Sequence, residues 1–279
     1  MNKPAKFHLI VITPIFIILS HYLAIIPHEY AHSIMAWLLG YKAHPFDVNY
    51  GGTTWDNLLL LTRIDENVNY ETIYAAGHGM HVALIAFAGS GIANLCLFII
   101  SLFLLKNHSV KERPYLYYLI FWFNLMNLGN LYDYVPIRTF SPLGDIAAIA
   151  TGLNISPWWI YVVLGYPIAF LIWHFFTSTM IAAFVNWKIN STAMRAALMI
   201  TCVFVLFGYY SGMVNLLISA NIMQYGEISF FLSLTSCLLI PGIIIIAWPT
   251  RRWVNHQLVE IHNRIIRCKA ANLKTQQPS

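Results

Sequence analysis

The sequence predicts an all-α polytopic membrane protein of about six transmembrane helices. Three observations carry this. Of 279 residues, 58% are hydrophobic and 10% charged, against about 25% charged in ordinary soluble domains. The mean hydropathy is +0.62. The apolar residues fall in long runs, and several ends carry Trp or Tyr, including Tyr115, Trp158, Trp187 and Trp248, as expected of rings at the headgroup level. The four cysteines are too few and too scattered for a secreted disulfide scaffold, and Cys96, Cys202 and Cys237 lie inside apolar runs. A formal charge of +5, with the basic residues between runs and at the tail, does not suggest a nucleic-acid-binding surface.

The first run extends from His8 to Gly40 and contains Pro14 and Pro27. It exceeds one simple span, so the expected span starts after Pro14, behind a bent or interfacial turn; a tight hairpin breaking near Pro27 is the alternative. No small-residue cleavage site stands out, so the run is not read as a signal peptide. The remaining runs cover 79–105, 115–135, 158–187, 196–220 and 228–248. Within the 41–78 loop, Phe46–Tyr50 reads as a strand, Gly51-Gly52 as a turn and Thr53–Trp55 as a return strand. After the last run, Trp253, Leu258, Ile261, Ile265 and Ile266 share one face of a basic segment, which predicts an interfacial helix on anionic lipid and then a loose tail. Three regions result: a membrane core at 1–153, additional transmembrane helices at 154–249, and the basic helix and tail at 250–279.

Lys and Arg cluster before run one, between runs two and three and runs four and five, and after run six. With six crossings these segments share one side, which places both termini in the cytoplasm and the 41–78 loop opposite.

His28-Glu29-Tyr30-Ala31-His32 has the HExxH spacing. On a helix the two imidazoles lie one turn apart on one face and can reach one zinc ion, with Glu29 placed to accept a proton from water. Ionisable residues inside an apolar helix are costly and mark function; the bland alternative is a packed polar cluster joined to other helices. A catalytic zinc site needs a third protein ligand and an open position. Asp145, Asp133, His78 and His81 are the candidates, and residue chemistry alone does not choose among them. Gly89, Gly91 and Ala93 would let the second span approach the first closely. Asn124, Asn127 and Asn130 form a polar stripe on the third. That stripe reads either as interhelical glue or as a polar wall with Asn130 as substrate contact or oxyanion donor.

These residues resemble the intramembrane zinc metalloproteases of the site-2 protease family, peptidase family M50. His28, Glu29 and His32 match its HExxH helix, Ala88–Asn94 its glycine-rich second helix ending in asparagine, and Asn130, Pro136 and Pro142–Asp145 its third motif. Where much of the family reads Asp-Gly, this chain reads Gly144-Asp145. The match covers roughly 17–151. The resemblance implies a three-helix catalytic core followed by three additional helices, Zn2+ held by His28, His32 and Asp145, Glu29 as general base, and a transmembrane protein or peptide substrate cut in the bilayer. It also implies a site towards the cytoplasmic side, opposite to the side that loop charge gives the 41–78 loop. Two other function classes compete: a metal or proton transporter using His21, His28, His32, His78, His81 and Asp133, and a non-catalytic relative that binds a partner helix.

Overall fold

The computed structural model describes residues 3–212, 226–261 and 263. Among these the fold is all-α, and five helices are long and apolar enough to cross a membrane. The chain is a multi-pass integral membrane protein. Helix α1 (Lys3–Leu38) runs unbroken through Pro14 and Pro27, so the hairpin does not form and the helix begins ahead of Pro14. Each proline removes one backbone donor, yet the helix continues, as transmembrane helices permit when neighbours satisfy the freed groups. At about 1.5 Å per residue its 36 residues extend about 54 Å, well beyond the ~30 Å hydrocarbon core. The helix ends where Gly40 adopts φ +83° and Tyr41 N–H reaches back to Ala36 O at 2.9 Å.

The 41–78 loop does not form the expected hairpin. Asn49 pairs with Asp65 in an isolated antiparallel bridge, and Trp55 opens a short helix, α2 (Trp55–Leu60), instead of a return strand. Asn57 explains the difference. Its amide donates to Tyr50 O at 2.5 Å and Gly52 O at 2.7 Å and accepts from Arg63 N at 2.9 Å, winding the loop around one buried side chain. Helix α3 (Tyr70–Ala75) follows, capped by Asn69.

Helix α4 (Gly79–Lys106) is the second span. Its middle, Ala88–Asn94, is π-helical. Helix α5 (Pro114–Tyr132) is the expected third span. It is not among the five helices that are long and apolar enough by hydropathy to cross a membrane, because its asparagines and tyrosines lower its hydropathy. It is nonetheless the centre of the fold: Phe121, Trp122, Leu125 and Leu128 are fully buried. Protein, rather than lipid, encloses α5. Helix α6 (Asp145–Leu153) packs on the start of α4. Gly79 and Gly152 allow that approach, since a Cβ on Gly79 would come within 2.8 Å of Gly152 O. Tyr74 Oη also donates to Ala148 O at 2.9 Å.

Spans α7 (Pro157–Asn186), α8 (Thr192–Tyr209) and α9 (Glu227–Ile246) follow. Polar contacts from α9 brace the first half of the chain. Ser229 Oγ accepts from Phe140 N at 3.1 Å, and Tyr132 Oη lies 2.8 Å from Ser236 Oγ. The expected end of run five near Ala220 lies outside the described residues. Residues 252–261 are helical, with Val254 buried and Trp253 and Leu258 packed on the core; Ile265, Ile266 and the rest of the predicted interfacial helix lie outside the described residues.

Candidate metal centre

His28 and His32 are successive turns of α1, and both are buried. Their Nε2 atoms lie 3.0 Å apart. Asp145 opens α6, where a carboxylate is favoured by the helix dipole. Its Oδ2 sits 3.1 Å from His32 Nε2 and 3.4 Å from His28 Nε2. The three form a buried cluster whose ligand atoms all lie within 4.8 Å of one another. Gly144, at φ +94°, sets up this approach; a Cβ there would come within 2.7 Å of Arg138 Nη2.

The outer partners fix the imidazole protons. His32 Nδ1–H donates to Ile85 O at 2.6 Å, and a carbonyl can only accept. His28 Nδ1–H donates to Asn94 Oδ1 at 2.7 Å. The Asn94 amide orientation is set by its own donors, which reach Ala24 O and Asn127 Oδ1, each at 3.0 Å. In its neutral form each imidazole then turns an Nε2 lone pair inward. Asp145 Oδ2 is buried without a hydrogen-bond donor. A proton on one imidazole can satisfy one pair of these acceptors; a divalent cation satisfies all three. Two imidazoles and one carboxylate are a donor set that zinc accepts, so the residues fit the ion.

The second span is shaped around these rings. A π-helix closes its hydrogen bonds at i→i+5, so Gly89 and Asn94, five apart, share a face towards α1. A Cβ on Gly89 would overlap His32 Nε2 and lie 2.6 Å from His28 Cε1. The small-residue stripe thus gives the imidazoles room as well as bringing two backbones together.

The asparagine stripe divides by position. Asn124 Nδ2 donates to Ser101 Oγ at 2.8 Å, and Asn127 supports Asn94; both join helices. Asn130 lines a cavity of about 320 Å³ together with the triad, Glu29 and Glu66. Its amide donates to Met126 O at 3.0 Å.

The other third-ligand candidates have other partners, although Asp133 lines the same cavity. Asp133 pairs with Arg138 at 3.4 Å. His78 and His81 both turn Nδ1 to Tyr41 Oη, at 2.6 and 2.7 Å, and neither lines this cavity. His21 does line it, held by Tyr210 Oη at 3.1 Å and Leu60 O at 3.0 Å.

Tyr134, Tyr209 and Tyr210 complete the wall, and sequence reasoning misses all three as site residues. Tyrosines in an apolar run read as packing, and only the fold brings the end of α8 to this cavity. Gly129 makes the room: a Cβ there would overlap the Tyr210 ring. Comparison with protein-family models, curated proteins and solved structures gives no match.

Proposed function

We propose that this protein is a zinc-dependent intramembrane endopeptidase that hydrolyses a peptide bond in or near a transmembrane segment of another membrane protein. The observation that carries the reading is the convergence of His28 Nε2, His32 Nε2 and Asp145 Oδ2 inside a membrane-spanning helical fold, in one cavity with Glu29. The resemblance of the same residues to the site-2 protease family agrees with it. In this reading residues 1–153 carry the chemistry, and loop charge places both termini in the cytoplasm.

His28, His32 and Asp145 would hold the ion. When bound, zinc supplies a Lewis acid that makes water a nucleophile at neutral pH. The remaining steps belong to the chain. Glu29 accepts the proton of the attacking water on its carboxylate and returns it to the leaving nitrogen. Asn130 offers its second amide hydrogen to the substrate carbonyl as negative charge develops there. The two His Nδ1–H bonds keep the rings from rotating during turnover. The substrate's cut site must unwind first, because a helix hides its carbonyls in its own hydrogen bonds; helix-breaking residues near the cut favour this.

The test is Glu29→Gln in the purified full chain, with metal content and cleavage of a transmembrane peptide library measured together. One zinc per chain in both proteins, with cleavage by the wild type alone, is expected. Full cleavage by Glu29→Gln with zinc bound would remove Glu29 as the base. Absence of zinc from the wild type would end the hydrolase reading.

A further inference from the structure

Tyr134 belongs to none of the motifs that mark the metal centre, yet its hydroxyl reaches one of the proposed ligands directly. Its Oη lies 3.0 Å from His28 Nε2. Its ring stacks on the His28 imidazole, with centroids 5.1 Å apart and planes 21° from parallel. The Arg138 guanidinium lies over the tyrosine ring, 5.3 Å from its centroid, and Arg138 is itself tied to Asp133 at 3.4 Å. The ring is thus clamped by an imidazole and a cation, so the direction of the hydroxyl is set by packing.

The partner of that hydroxyl is the lone pair a bound cation takes. With the proton of the neutral His28 ring on Nδ1, Nε2 is the acceptor for Tyr134 and also the atom that faces His32 Nε2 and Asp145 Oδ2. Once a cation occupies that lone pair, the phenol hydrogen loses this acceptor while the ring stays clamped. A hydroxyl donor is then left beside the cation, inside the polar cavity.

We infer that Tyr134 is a hydrogen-bond donor for an oxyanion held at the metal centre, which in the hydrolase reading is the substrate carbonyl oxygen as it gains charge. Only the identity of the oxyanion rests on that reading. The phenol keeps its proton throughout, donating without transferring it. The Asn130 amide, which also serves Met126 O, can donate with or without a metal, whereas Tyr134 is the donor that metal binding itself releases.

The experiment uses the full chain in detergent micelles, loaded with Co2+ so that its visible bands report on the ligands. Acetohydroxamate, a small chelating oxyanion, is titrated into wild type and Tyr134→Phe. Cobalt affinity is expected to stay within a few-fold, because the phenol is not a ligand, while acetohydroxamate binds the variant about 10-fold or more weakly, the loss expected for a hydrogen bond to a charged group. Equal acetohydroxamate affinity in the two proteins overturns the inference. So does a variant that loses cobalt, since Tyr134 would then be positioning His28. Wild type that binds no cobalt overturns the inference and the metal reading together. Tyrosine-dependent acetohydroxamate binding in a protein that cleaves no transmembrane peptide leaves the inference standing and removes only the hydrolase.

Discussion

Asn94→Ala removes the side chain that holds the proton of His28 on Nδ1, and its effect can be worked from the distances. The substitution deletes three hydrogen bonds: from His28 Nδ1 at 2.7 Å, to Ala24 O at 3.0 Å and to Asn127 Oδ1 at 3.0 Å. Ala24 O keeps its own helical donor, and Asn127 keeps the bond from its Nδ2 to Phe123 O at 2.8 Å. The serious loss is at His28 Nδ1–H, which is left buried without this acceptor, at about 1–3 kcal/mol. The imidazole can escape that cost by moving its proton to Nε2, the position zinc needs. Metal affinity should therefore fall about 10–100-fold, the range typical for loss of an outer partner of a ligating histidine, or roughly 1.4–2.8 kcal/mol.

A second variant separates this from general damage to the core. Asn127→Ala removes an acceptor for Asn94 Nδ2 and a donor to Phe123 O, while Ala24 O still holds the Asn94 amide in place. Its zinc affinity should fall only a few-fold. The assay is competition with a chromogenic chelator on the detergent-solubilised chain, with thermal unfolding of the metal-free proteins alongside. Two results refute the reasoning: Asn94→Ala binding zinc as tightly as wild type, or Asn127→Ala losing as much affinity as Asn94→Ala while unfolding at the same temperature.

Two further perturbations follow from the close approaches. Gly89→Ala places a methyl group among the His28 and His32 rings and should abolish stoichiometric zinc, whereas Gly91→Ala first meets the movable Phe87 ring and should leave zinc content near wild type; metal analysis of both proteins checks the contrast. Gly152→Leu opens the crossing with Gly79 and should displace α6, costing about 1–3 kcal/mol in overpacking and lowering zinc affinity through Asp145; wild-type zinc affinity in the Gly152→Leu protein would show that α6 does not position the ligand.

The parts of this fold that are legible in the sequence are those whose cause is local. Apolar length places the ends of α4, α7 and α9 within a few residues, and helical spacing puts His28 and His32 on one face. The first span departs from expectation because proline breaks helices in water more readily than in a bilayer. The sequence rule allows the helix to end at Pro14 or Pro27, and α1 passes through both. The hairpin fails because Gly51-Gly52 and alternating residues signal a turn without specifying what lies beyond it. The buried Asn57 amide, which gathers Tyr50, Gly52 and Arg63, has no periodic signature. The third candidate ligand is open in the sequence for a related reason. Four residues have suitable chemistry, and only tertiary packing gives Asp133 to Arg138, gives His78 and His81 to Tyr41, and leaves Asp145 facing the imidazoles.

That packing also gives the later helices a part in the site that no motif announces. Tyr210 from the end of α8 fits over Gly129 of α5 and holds His21 at 3.1 Å, and Tyr209 Oη approaches the other nitrogen of the same ring at 3.3 Å. From α9, Ser229 fixes the backbone at Phe140 and Ser236 meets Tyr132, so contacts flank the segment carrying Tyr134 and Arg138 on both sides. A hydrolytic site in lipid needs water at the metal and none along the rest of the helix faces. Placing tyrosines at the cavity wall meets both demands, since each ring seals against apolar neighbours while its hydroxyl faces the polar interior. The HExxH helix would supply the ligands, and α8 and α9 would keep the wet volume small and the donors aimed.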